Sequence, residues 1–292
     1  MMVFSTGWSE GYDGPGRRLV VYLKGCNFQC RWCGNPEGMQ SEPEMLYYPA
    51  RTRHAAEACP YGAARGPSLK RDKCRQCRDT SCISVARNPA FELAGQSLTV
   101  SALVDRATTA RQLFEPDGGV TFSGGEPTLQ ADELLHALKE LKSAGIHTAV
   151  ETNASTDAFS RVASEADLII ADIKCADPVT HREWTGADNA SVLRNLGNAA
   201  NGSTELLVRV TVVTGVNDSE EEMDGLTAFL GRLAAGRPSL RVELLRMHHF
   251  GEPKCAALDR EYPMRDVPCP TPGTMGRFKD KLSKAGVCVL AG

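Results

Sequence analysis

Apolar residues along the chain gather into short runs rich in β-branched side chains, at 19–25, 120–123, 148–151, 168–173, 206–213 and 240–246. Continuous apolar runs of this length predict strands buried on both faces. Between them, apolar positions return at helical spacing over 131–144, 219–233 and 274–284, the pattern of amphipathic helices. Alternating strands and helices predict an α/β fold with a parallel sheet or barrel and right-handed crossovers. The polar ends of such strands gather at one rim, where sites in these folds are built. The stretch 47–88 breaks the rhythm, carrying charge, Gly, Pro and four cysteines without sustained periodicity. It predicts an insert held by metal rather than by a core.

With 292 residues and a formal net charge of -3, the chain has length for a large core and no basic field. Charge therefore argues against a nucleic-acid partner. No stretch approaches the ~18 apolar residues needed to span a bilayer, and no leader pattern precedes the first strand. The expectation is a cytoplasmic protein without a membrane partner. In that reducing compartment 11 cysteines point to metal or redox chemistry rather than disulfides. Seven lie between Cys26 and Cys82, whereas Cys175, Cys255, Cys269 and Cys288 are scattered and read as packing residues.

Cys26, Cys30 and Cys33 stand in a CxxxCxxC arrangement at the end of the first predicted strand. Three thiolates satisfy three irons of a cubane cluster and leave the fourth open to a reactant. The spacing also admits a zinc site completed by a distant ligand. With Trp32 before the last cysteine, and Gly124-Gly125-Glu126-Pro127 after the second strand, the chain resembles the radical S-adenosylmethionine (radical SAM) superfamily. More narrowly, it resembles the glycyl-radical-enzyme activating enzymes. Asp13-Gly14-Pro15-Gly16, Trp32 to Glu37, Gly119 to Pro127, and Glu243 to His248 with Gly251 and Lys254 carry that likeness.

The resemblance implies an incomplete (β/α)6 barrel, matching the six predicted strands, and reductive cleavage of S-adenosylmethionine at a four-iron four-sulfur cluster on Cys26, Cys30 and Cys33. It implies hydrogen abstraction from a backbone glycine of a partner glycyl radical enzyme, a flavodoxin- or ferredoxin-type reductant, and a monomer. Gly124, Gly125 and Glu126 fall at the element that binds the amino group of the methionine moiety. Lys174 and Arg209 fall where the family meets polar parts of the cofactor, and His248 near its ribose and adenine. Glu151, Thr152 and Asp172 fall near the methionine end and a monovalent cation, with Glu151 replacing a family Asp. Cys255 stands where the family has a tyrosine. Asp13 implies a clamp on the partner's peptide, since its carboxylate can accept amide hydrogen bonds. Read singly, Lys174 and Arg209 suit solvated surfaces and His248 an ordinary loop histidine. Their co-occurrence at strand ends with the cysteine motif favours the site.

Within the insert, Cys59, Cys74, Cys77 and Cys82 resemble the remains of a two-run ferredoxin-like segment in which Ala86 takes the place of a fourth cysteine. In two-cluster ferredoxins the Cys before Pro, here Cys59, ligates the cluster otherwise held by the other run. Four ligands remain, enough for one further four-iron four-sulfur cluster or for a zinc ion. The expected organisation is barrel over 1–46, insert over 47–95 and barrel again over 96–292. A radical enzyme acting on a peptide or small molecule, and a two-cluster electron carrier, are the alternative readings.

Overall fold

The computed structural model describes residues 1–51, 59–77, 79, 81–84, 90–114 and 116–290. The chain opens with β1 (Met2–Glu10) and β2 (Arg17–Leu23), followed by β3 (Glu44–Tyr47), β4 (Ala64–Arg65), β5 (Ser68–Leu69), β6 (Phe91–Ala94) and β7 (Gln96–Ser97). It continues through β8 (Gly119–Gly124), β9 (Thr148–Thr152), β10 (Leu168–Asp172), β11 (Glu205–Val212), β12 (Arg241–Arg246) and β13 (Cys288–Leu290). The main sheet runs β13-β12-β11-β10-β9-β8-β2-β1-β7. From β2 to β13 every pairing is parallel, while β1 lies antiparallel to β2 and β7 to β1. All six predicted strands are present, with β13 added at one edge and the β1–β7 pair at the other.

The inner strands are buried almost throughout, as the continuous apolar runs require. Helices supply the cover. Ala131–Ser143 buries Leu134, Leu135, Leu138 and Leu141 at helical spacing. Glu220–Gly236 starts where the Ser219 side chain accepts the Glu222 amide, and buries Met223, Leu226, Leu230 and Leu233. Glu222 does not complete a capping box. Its carboxylate accepts the amides of Ala176 and Asp177 at 2.6 and 3.0 Å, fixing the loop after β10.

The sheet curls on itself. The Arg209 side chain on β11 reaches the carbonyl of Tyr12, just before β2. Those strands are separated by β10, β9 and β8, a gap that no arginine could cross in a flat sheet with strands about 4.8 Å apart.

Beside the sheet, β3 pairs with β6 and β4 with β5. They enclose a small core of Tyr47, Ala63, Ala64, Leu69, Cys82, Ala90 and Phe91. Arg71 donates to the Met45 carbonyl within this unit and ties it to the remainder through Asp259 at 2.7 Å and the carbonyl of Ala257 at 2.5 Å. Among the described residues no helix is long and apolar enough to cross a membrane.

Candidate active site

The cysteine loop leaves the C-terminal end of β2, where Gly25 turns the chain at a φ of 98°. The loop is shaped by backbone bonds from elsewhere: Gly25 donates to the Gly38 carbonyl at 2.7 Å, Cys26 to Met39 at 2.9 Å, and Gln29 to Thr185 at 2.7 Å. The Phe28 amide donates to the Cys26 sulfur at 3.4 Å and the Asn35 amide to the Cys33 sulfur at 3.3 Å. All three thiols are free and line one cavity of about 320 Å³. Burial pushes the Cys26 thiol up to about 12 and raises Cys30 and Cys33 as well. These sulfurs are therefore poor thiolates without a metal to stabilise the charge.

Gly124 and Gly125 form the neighbouring wall. Close approach requires both glycines. A Cβ on Gly124 would lie 2.3 Å from the Leu23 carbonyl oxygen, and one on Gly125 would lie 2.1 Å from that of Gly25. Glu126 sits behind the wall, fully buried and outside the cavity lining. Its carboxylate accepts from the Thr128 amide at 3.0 Å, the Thr152 hydroxyl at 2.7 Å and the Asn153 amide at 2.7 Å. Burial raises its pKa against those donors.

The structure brings Trp32, Glu151, Thr152, Asp172, Lys174, Arg209 and His248 to the same cavity. Lys174 Nζ lies 3.1 Å from Asp172 Oδ2. Burial pulls the ammonium down, but Asp172 and the Cys30 sulfur outweigh it, so the lysine stays charged. Arg209 bridges Glu151 and Glu243, the latter at 2.6 Å, and Ser123 donates to the second Glu151 oxygen at 2.6 Å. Burial lifts the Glu151 carboxyl to about 7, with Arg209 opposing the rise. The His248 ring stacks on Phe250 with centroids 4.1 Å apart, and burial lowers its pKa.

Asp13 is not among the residues lining this cavity. It lies in the turn before β2, at the opposite end of that strand from the cysteines. In the insert, Cys74 and Cys82 are raised first by burial, and each feels the charges of Cys59 and Cys77. Cys59, Cys74 and Cys82 border the small core of the insert, and the Ala63 amide donates to the Cys59 sulfur at 3.2 Å. Ala86 lies outside the described residues. Among those residues, no three His, Cys, Asp or Glu side chains are grouped so as to hold a metal ion.

Several contributors were not singled out from sequence. Ser123, Asn153 and Thr211 line the cavity. Thr211 shares the face of Arg209 by strand alternation, a signal that was legible. Asn217, fully buried, donates to the carbonyls of Lys174 and Thr211 at 2.7 and 2.8 Å and holds those two strand ends together. It carried no sequence signal beyond a turn-like Val-Asn-Asp-Ser.

The radical SAM superfamily model matches residues 20–226. The 4-hydroxyphenylacetate decarboxylase activating enzyme of Clostridioides difficile (strain 630) is 31% identical over 306 residues, an alignment covering 100% of this chain and 96% of that protein. The chain belongs to the radical SAM superfamily, in the family of glycyl-radical-enzyme activating enzymes. Another relative in that family is the isethionate sulfite-lyase activating enzyme of Desulfovibrio desulfuricans (strain ATCC 27774 / DSM 6949 / MB). It is 33% identical over 98% of this chain and 95% of its own. Among solved structures, a domain of pyruvate-formate lyase-activating enzyme from Bacteroides vulgatus ATCC 8482 matches with a TM-score of 0.50 at 26% identity. That match covers 60% of this chain and 99% of the domain.

Proposed function

We propose that this chain is an activase that cleaves S-adenosylmethionine and places a radical on a backbone glycine of a partner glycyl radical enzyme. The observation that carries the reading is the convergence of three free thiols, a two-glycine wall and the charged pair Lys174–Asp172 on one cavity. Cys26, Cys30 and Cys33 suit a site-differentiated cluster: amide N–H groups point at two of the sulfurs and the lysine's positive charge lies beside them. Bound there, the cluster and S-adenosylmethionine supply one-electron cleavage of the carbon-sulfur bond to methionine and a 5'-deoxyadenosyl radical.

The protein's share is binding, orientation and exclusion of water. Gly124 and Gly125 let backbone approach the methionine end closely. Lys174 and Arg209 neutralise carboxylate charge, while His248, backed by Phe250, offers a ring face to the adenine side. Glu126 acts through Thr152 and Asn153 and sets the wall's position. The cation expected beside Glu151, Thr152 and Asp172 does not fit this donor set. Arg209 and Ser123 occupy the Glu151 oxygens, Lys174 pairs with Asp172, and the Thr152 hydroxyl donates to Glu126. The guanidinium already supplies the positive charge.

Cys59, Cys74, Cys77 and Cys82 would hold a second four-iron four-sulfur cluster that relays electrons from a flavodoxin- or ferredoxin-type reductant of the cytoplasm. Asp13 would meet the partner's glycine-bearing peptide. Anaerobically reconstituted, reduced protein should convert S-adenosylmethionine to 5'-deoxyadenosine and methionine, and Cys30→Ala should abolish this. With a cognate partner, electron paramagnetic resonance should show a glycyl radical. Cleavage persisting in Cys30→Ala would place the reaction elsewhere.

A further inference from the structure

The turn between β1 and β2 is held far more tightly than a hairpin connection needs. Such turns are normally closed by their own backbone, and here Gly11 does donate to the Gly16 carbonyl at 3.1 Å. Three side chains from three different strands add to that bond, each taking a separate carbonyl of the turn. The Arg209 guanidinium on β11 donates to Tyr12. The Thr121 hydroxyl on β8 donates to Asp13 at 2.7 Å. Arg18 on β2 donates to Pro15 at 3.2 Å. The last two grips interlock with the sheet, because Arg18 Nε also donates to the Thr121 hydroxyl at 2.5 Å and Arg18 Nη2 to the Val120 carbonyl at 2.9 Å.

Arg18 is fully buried, and none of its hydrogen bonds goes to a carboxylate. Burying a guanidinium on neutral acceptors alone is costly, and burial lowers its pKa to about 10. Its stem lies under the turn, where a Cβ on Gly14, whose φ is 113°, would come within 3.0 Å of Arg18 Cδ. The result is a turn fixed in place whose one carboxylate is left over. Among the described residues, Asp13 makes no side-chain hydrogen bond or ion pair. It is nevertheless near enough to the Tyr22 phenol and the Glu151 carboxyl to help raise both. The turn itself is held from the inner face of the sheet, since Arg209 lines the cavity and Thr121 shares the face of the cavity-lining Ser123 on β8.

We propose that Arg18 and Thr121 are positioning residues for the partner: by gripping the Asp13 turn through its carbonyls, they hold the Asp13 carboxylate aimed at the amides of the incoming glycine segment. This rests on the activase reading above. An acceptor that must meet a peptide beside a reactive centre gains from being held rigidly before the peptide arrives.

The test compares wild type with Thr121→Val, which keeps shape and removes the hydroxyl, and with Arg18→Met and Arg18→Lys, each anaerobically reconstituted. Hydrogen-deuterium exchange is read over residues 11–16, S-adenosylmethionine cleavage is read without partner, and glycyl radical formation is read against concentration of a glycyl radical enzyme that wild type activates. Losing one such hydrogen bond should raise exchange in 11–16 and the half-saturating partner concentration by about tenfold each. Partner-free cleavage should stay within about twofold of wild type. Arg18→Lys should fall between, and Thr121→Val carries the test if Arg18→Met does not fold. Unchanged exchange or unchanged half-saturation in folded Thr121→Val overturns the positioning role while leaving the activase reading standing. A wild-type protein that yields no glycyl radical on any candidate partner overturns the reading itself, and the positioning role with it.

Discussion

The carboxylate of Glu126 accepts the backbone amide of Asn153 at 2.7 Å, joining the loop after β8 to the loop after β9. With Thr128 and Thr152 also donating to it, this glutamate is the keystone of the cavity wall rather than a group that faces the cavity. Glu126→Ala leaves several buried donors without an acceptor, so it should cost on the order of 3 kcal/mol. Thermal unfolding and S-adenosylmethionine affinity measured on the same samples separate the possibilities. A lost affinity with an unchanged melting temperature would mean that the carboxylate touches the cofactor directly.

Metal content follows from the two cysteine sets. Reconstituted protein should hold ~8 irons per chain, and Cys59→Ser should remove about half while partner-free cleavage chemistry persists. Stoichiometric zinc in the wild-type insert would refute this.

Glu151 should impose a pH dependence on stability. Burial lifts its carboxyl from an ordinary 4.5 to about 7. Between those values the unfolded chain is ionised while the folded chain still holds the proton. The stabilisation is therefore complete below 4.5 and is lost as pH climbs through about 7. Melting temperatures from pH 5 to 8 should fall more steeply for wild type than for Glu151→Gln. Parallel profiles would contradict the assignment.

Lys254 Nζ lies 2.6 Å from Glu37 Oε1, and the buried Oε2 of that carboxylate has no hydrogen-bond partner among the described residues. Lys254→Met should destabilise the segment after Cys33 by about 2 kcal/mol, less than for a fully buried pair because the lysine is part-exposed. Adding Glu37→Gln should recover much of the loss, as denaturant unfolding of the two variants would reveal. Equal stability of single and double variants would show the pair to be uncoupled.

The repeating core of the fold was legible because each inner strand is a continuous apolar run and each covering helix shows its stripe; the helix expected at 131–144 is Ala131–Ser143. The strand expected at 19–25 instead spans Arg17–Leu23. Arg18 is buried with its charge on neutral acceptors, a tertiary arrangement that apolar patterning does not register. β1 was missed for a related reason. Met2–Glu10 is half-buried at an edge and mixes Ser, Thr and Gly with its apolar residues. At the site, residue types tied to the chemistry were legible, including the cysteines, the glycine pair and Lys174. Glu126 turning away from the cavity, and Arg209 reaching Tyr12, depend on which side chains meet across the curled sheet, and no local spacing encodes that.

The bonds from Gly25 to Gly38, and from the Glu126 amide to the Gly25 carbonyl at 2.7 Å, bear on the order of events in biogenesis. The thiol loop takes part of its form from Glu126 and Thr185, synthesised long after it, so a nascent chain ending before Glu126 carries three cysteines whose framework is incomplete. The loop therefore reaches its final form only once β8 has docked against β2 and Thr185 has come to the Gln29 amide. A folded chain then meets the iron donor as a ready-made receptacle, and a stalled or truncated one as loose thiols open to oxidation.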